Sequence, residues 1–200
     1  DIVHSFHILL VQSQAGTTQT VYIDKNITLQ GGFHFSDWSL SDPIDHPTTL
    51  SADDNGRVIY IQSGIITLNS LTLRNGYSAT DGGGIYNTGG STTIVNASSV
   101  SSNTANNVGG GIYNGSPGNP TLTDCTFTGN SANTDGGGMY NNISSPNVTN
   151  CTFAGNSAIE EGGGMYNSDS SPTVSDCAFS MNWAGSGGGM FNTDSSPIVS

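Results

Sequence analysis

Three cysteines, Cys125, Cys151 and Cys177, recur at intervals of 26 residues. Metal binding or a disulfide requires sulfurs to converge. A fixed long interval instead stacks them in one column of whatever structure repeats with that period. In-register neighbours hold their Cβ directions parallel, which fits disulfide geometry badly. Cys is also content as a small buried apolar residue. The expectation is a buried column of free thiols.

Carboxylates are the next candidates for chemistry. Asp169 and Asp194 stand 25 apart, and Asp135 and Glu161 stand 26 apart beside Asp81 and Glu160. Glycoside hydrolysis needs two carboxylates at a set separation. A polysaccharide lyase needs a tuned base, commonly helped by Arg, Lys or a cation. Lys25, Arg57 and Arg74 are the only basic residues of the sequence. Asp169 and Asp194 are therefore read as turn acids, a role that Asp favours, and no catalytic residues are expected. Stacked carboxylates repel unless a hard cation joins them, so Asp135 and Glu161 are the weak metal candidates. No EF-hand loop is present, exposed turn acids are the preferred reading, and no cofactor is expected. His4, His7, His34 and His46 show no ligand spacing with Cys or acid.

The third candidate is a row of rings: Tyr86, Tyr113, Tyr140, Tyr166 and Phe191, with Tyr60 one step before. Each follows an Ile or Met, so if the Ile/Met points inward, alternation sends the ring outward. An outward row of rings is a candidate ligand-binding face, for sugars or a partner protein. Mutual ring stacking that stiffens a sheet is the preferred reading.

All these residues sit in a repeat. Gly triplets begin at 82, 109, 136, 162 and 187, each followed by Ile or Met, an aromatic and Asn. A second block carries Leu73, Val100, Phe127, Phe153 and Phe179, the last four followed three residues later by Asn103, Asn130, Asn156 and Asn182. Leu68, Val95, Leu122, Val148 and Val174 form another column, and Pro120, Pro146, Pro172 and Pro197 stand where strands begin. Self-similarity at this period means a solenoid. Helical repeats need amphipathic stretches of ten or more residues without Gly or Pro, and the sequence has none. Three short strands per turn of chain, joined by Ser-Pro, Gly-Asn and Asn-Ser corners, make an all-β parallel β-helix with coils stacked about 4.8 Å apart. The Ile/Met, Val/Leu, Cys and Phe columns are its core. The Asn column is a structural ladder at a bend, where Asn tolerates a left-handed backbone. The Gly triplets serve a positive φ or a backbone too close for a side chain.

Pairing of "GGGI" or "GGGM" with "FTGN", "FAGN" and "FSMN" resembles the GGA[ILV] and FxxN repeats of polymorphic outer-membrane proteins, with Gly in place of the usual Ala. More broadly it is similar to the right-handed β-helix repeats of secreted bacterial surface proteins. The likeness covers roughly residues 56–200, and it implies an extracellular, often adhesive protein. Residues 1–55 fit the repeat poorly. They are read as an N-terminal cap with a degenerate first coil, Leu29 echoing Leu73, and an aromatic-rich insertion at residues 33–47.

Composition narrows the partners. Of 200 residues, 9% are charged, with 3 basic against 15 acidic and a net charge of -12. Phosphate contacts need clustered Lys and Arg, so nucleic acid and anionic membrane are excluded as partners. No apolar stretch is long enough for a transmembrane helix. The repeat stops partway through a coil, so a downstream repeat or a second copy is expected to cover that edge. The expected function is a non-catalytic, secreted or cell-surface structural or adhesive protein, meeting glycans or another copy of itself and assembling end to end. A carbohydrate-active β-helix enzyme is the alternative.

Overall fold

The computed structural model describes residues 2–4, 19–34, 37–88, 92–116 and 118–200. The apolar run at residues 6–11, read as a strand, and His7 lie outside them.

Each repeat supplies one strand to each of several parallel sheets. The segment after the Gly triplet gives Ile85–Asn87, Ile112–Asn114, Met139–Asn142, Met165–Ser168 and Met190–Thr193, which extend Gln19–Ile23 and Arg57–Ile61 into a seven-stranded tyrosine sheet. Thr92–Asn96, Thr121–Thr123, Asn147–Thr149, Thr173–Ser175 and Ile198–Val199 continue Ile2–His4, Ile27–Gln30 and Ile65–Asn69 as an eight-stranded valine sheet. A six-stranded phenylalanine sheet holds Thr48–Ser51, Leu71–Arg74, Ser99–Ser101, Thr126–Thr128, Thr152–Ala154 and Ala178–Ser180. Three strands per coil are expected from the sequence, and a fourth is found. Tyr77–Ser78, Thr104–Ala105, Ser131–Ala132 and Ser157–Ala158 make a four-stranded sheet. Two residues are too few for alternation to show; stacking in register pairs them.

Register is the central fact. Ile85 pairs with Ile112, Ile112 with Met139, Met139 with Met165 and Met165 with Met190. Val95, Leu122, Val148 and Val174 stack likewise, as do Phe127, Phe153 and Phe179. The inward members form one continuous narrow core from Val21 to Val174, with Met139, Phe127 and Phe153 fully buried. Phe179 and Met190 are partly buried against it.

Polar columns inside the coil are satisfied by the coil above or below. Asn130 Oδ1 accepts both the backbone N–H and the side-chain Nδ2–H of Asn103, at 3.1 and 3.0 Å, while its own Nδ2 donates to Val100 O at 2.9 Å. The pattern repeats from Asn130 to Asn156 and from Asn156 to Asn182. This is an asparagine ladder. Its backbone corrects the expected left-handed Asn: positive φ falls one residue earlier, at Ser102, Gly129, Gly155 and Met181. That residue turns the corner, and the Asn enters the core with both ends of its amide bonded. A second inward ladder, Asn87, Asn114, Asn141, Asn167 and Asn192, runs beside the tyrosines with Nδ2···Oδ1 distances of 2.8 to 3.3 Å.

The Gly triplet divides its labour. Gly109 holds φ at +70°, and a Cβ on Gly110 would meet Ser131 O at 2.3 Å and Gly137 O at 2.6 Å. The first Gly is conformational; the second leaves room for the neighbouring coil.

Gln19–Ile23, Ile27–Gln30 and Thr48–Ser51 supply a first coil in register with the second, with Val21 opposite Ile59, Leu29 opposite Leu68 and Leu50 opposite Leu73. Its insertion includes an antiparallel pair, Phe33–His34 with Asp37–Ser41.

Candidate functional site

The tyrosine sheet carries the largest aligned set of chemistry-bearing side chains. Burial alternates along Ile112–Asn114, so Ile and Asn enter the core and Tyr113 faces out. The rings do not lie flat as a platform. Tyr86 and Tyr113 stack with centroids 4.9 Å apart and planes 9° from parallel; Tyr113 and Tyr140 stand at 5.7 Å and 8°. Tyr140 and Tyr166, then Tyr166 and Phe191, continue at 4.9 and 5.7 Å, and Tyr22 and Tyr60 begin the column. The ring column is thus stacked along its length. In-register strands bring identical rings within stacking reach, so each ring covers its neighbour's face and presents an edge. Tyr60, Tyr86, Tyr113, Tyr140 and Phe191 are partly buried, and Tyr166 is buried.

Arg57 lies at the foot of this column. Its guanidinium carbon is 4.8 Å from the Tyr86 ring centroid and 5.8 Å from that of Tyr60. Nε donates to Asp81 O at 3.0 Å and Nη2 to Thr80 Oγ1 at 2.8 Å. Burial pulls its pKa below the usual value, against the opposing influence of Tyr86 and Asp81. The sequence counted Arg57 as a rare cation but gave no sign of this cation–π seat.

The left-handed Gly turn brings its preceding acid beside the rings. Asp135, which precedes Gly136, acts electrostatically on Tyr140 and so borders the ladder. Burial pushes the Tyr140 hydroxyl up to about 12, with Tyr166 and Asp135 adding to it. Burial also lifts Tyr86, with Tyr113 and Asp81 adding and Arg57 opposing. Asp135 and Glu161 stand on adjacent coils as expected, and Glu161 N–H donates to Asp135 Oδ1 at 3.1 Å. Burial raises Asp135 to about 6, the N–H of Glu161 opposes, and the charges of Glu160 and Glu161 add. Among the described residues no group of three His, Cys, Asp or Glu converges to hold a metal ion.

The remaining candidates are corners. Asp169 and Asp194 are exposed, at φ +49° and +50°, and Asp169 N–H bonds to Thr193 O. They occupy the left-handed position of one turn column. Asp124, Asn150 and Asp176 do the same in another, at φ +55°, +51° and +52°. Directly after that residue comes Ser or Cys with a fixed task. Ser170 Oγ accepts Ser144 N–H at 3.0 Å and donates to Ser168 O at 2.7 Å. Cys151 Sγ accepts Cys125 N–H at 3.4 Å and donates to Thr149 O at 3.2 Å; Cys177 does so for Cys151 and Ser175 O. The thiols are free, stacked and used as serine-like corner bonds. The hydrogen bond with Cys125, then burial, pushes the Cys151 thiol up, and burial lifts Cys177.

The sequence reading missed the second Asn ladder, although Asn follows the ring in five successive coils. It treated that Asn as part of the strand motif, not as a core column.

No helix among the described residues is long and apolar enough to cross a membrane. Neither a curated protein nor a solved structure matches the chain. A family model described as a right handed beta helix region matches residues 51–200, which covers the coils that carry the ladders. The chain belongs to the right-handed β-helix family.

Proposed function

We propose that this chain is a non-catalytic, extracellular structural element: a stiff rod of stacked coils whose outer rows meet glycans or another copy of the chain. One observation carries the reading. The side chains aligned in columns hold one coil to the next: the tyrosines stack, the thiols and serines bond corner N–H groups, and the amides form ladders. Preorganised catalytic groups point instead at a place where a substrate can sit. The acidic border of Asp81, Asp135 and Glu161 disfavours anionic polymers along the tyrosine sheet by like-charge repulsion, so a neutral glycan is the preferred ligand class.

Incubation of purified chain with neutral and acidic polysaccharides tests this. The expected result is no new reducing ends and no unsaturated product, together with retention on a neutral-glycan array. Retention should fall when Tyr113 and Tyr140 are changed to Ser. Turnover that disappears in Asp169→Asn or Asp194→Asn would replace the structural reading with the hydrolytic one. Surface labelling of intact source cells checks the location, and a chain inaccessible outside the cell overturns that part.

A further inference from the structure

We propose that His34 and His46 form a binding site for a d-block dication such as Zn²⁺, Ni²⁺ or Cu²⁺, which clamps the insertion of the first coil. The sequence places these residues twelve apart with no ligand motif around them. The fold brings their rings to a centroid distance of 4.6 Å at a 58° tilt. Two imidazoles bound cis to one ion, each with metal–nitrogen near 2.0–2.1 Å, have ring centres roughly 4.5–5 Å apart. The 4.6 Å ring separation falls within that range.

The backbone around them is held. His34 lies in the pair formed by Phe33–His34 and Asp37–Ser41. His46 ends a turn in which its N–H donates to Asp42 O at 2.9 Å. Asp42 Oδ1 accepts the N–H groups of Ile44 and Asp45, both at 3.2 Å, and Asp42 N–H donates to Gly32 O. One imidazole thus rides on the paired strand and the other on a turn tied to its base, both partly buried. Holding ligands in place before binding reduces the ordering cost of the complex.

Ligand type selects the ion. Imidazole suits Zn²⁺, Cu²⁺ and Ni²⁺ and discriminates against Ca²⁺ and Mg²⁺. Among the described residues no group of three His, Cys, Asp or Glu converges, so the two imidazoles are the ligands the proposal rests on. The net charge of -12 raises the local cation concentration. A bound ion would join the strand to the turn across the insertion and slow its opening.

The test uses the full chain without a polyhistidine tag. Calorimetric titration with Zn²⁺ is expected to show one saturable site. His34→Ala and His46→Ala should each weaken it by at least the roughly 10- to 100-fold that loss of an outer-shell partner costs. Joint replacement of His4 and His7 by Ala should leave it intact, and metal-free melting curves of each variant check that folding is unchanged. Electron paramagnetic resonance of the unaltered chain with one equivalent of Cu²⁺ should resolve two imidazole nitrogens. No saturable binding, binding that survives both single variants, or a spectrum with one nitrogen would overturn the proposal.

Discussion

Phe127 lies over Phe153 with ring centroids 4.5 Å apart and planes 4° from parallel, and Phe153 repeats the contact with Phe179 at 4.7 Å and 2°. A fully buried ring in a close-packed column leaves a cavity when removed. Phe153→Ala is expected to cost about 3–5 kcal/mol, read as a lower denaturation midpoint. Phe179→Ala, at a partly exposed position, should cost clearly less.

Asn130 satisfies two donors of Asn103 and the carbonyl of Val100. Asn130→Leu strands all three, at about 1–3 kcal/mol for each buried group left without a partner. Hydrogen exchange should accelerate first at the amide of Asn103. Unchanged protection there would refute the ladder as a stabilising device.

Ile143 is a β-branched residue at φ +52° with 56% of its surface exposed. Its column elsewhere holds Asp169 and Asp194 in the same conformation. A left-handed backbone costs a Cβ-bearing residue about 1–2 kcal/mol, less for Asn or Asp. Ile143→Asn should therefore stabilise the fold, by about 1 kcal/mol, giving a higher melting temperature. Met181→Gly tests the same principle at φ +53°.

Asp135 is raised to about 6 by burial, with Glu160 and Glu161 adding. An unfolded Asp titrates near 3.9, so the folded state holds its proton to higher pH. The sign follows: this group's contribution is fullest below about pH 4 and declines as pH rises through about 6. Asp135→Asn keeps the oxygen that accepts Glu161 N–H and removes the charge. Its stability should lack this decline and exceed that of the parent at pH 7 by about 1 kcal/mol, after allowance for solvent screening. Denaturant melts at pH 4, 5, 6 and 7 measure the slope.

Cys125 and Cys151 are buried, whereas Cys177 is partly exposed. Native-state labelling with a thiol reagent should modify Cys177 first, and the other two on the timescale of unfolding. Cys151→Ser, which reproduces the bonding of Ser170, should cost under about 1.5 kcal/mol. Cys151→Val removes the acceptor for Cys125 N–H and should cost more.

The columns were legible in the sequence because in a solenoid a fixed interval becomes a vertical contact; Met139, Phe127 and Asn130 needed only counting. What lay beyond the letters was direction and coincidence. Alternation places Tyr113 outside the coil, and the register of the coils sets its ring against that of Tyr140. The turn after Phe127 is legible in the letters, but its left-handed residue is Gly129, one position before the expected Asn130. Only backbone geometry separates Gly129, which turns, from Asn130, which is buried. The approach of His34 to His46 and the seat of Arg57 under Tyr86 carry no period, so counting residues does not reveal them.

The first coil bulges out between Ile27–Gln30 and Thr48–Ser51, yet both strands keep step with Ile66–Asn69 and Leu71–Arg74. A corner of this winding thus carries an excursion of the chain while the strands on either side stay in register. Loops carrying an epitope, a fluorophore or a recognition peptide could be grafted there, and the coils beneath would serve as an indifferent pedestal.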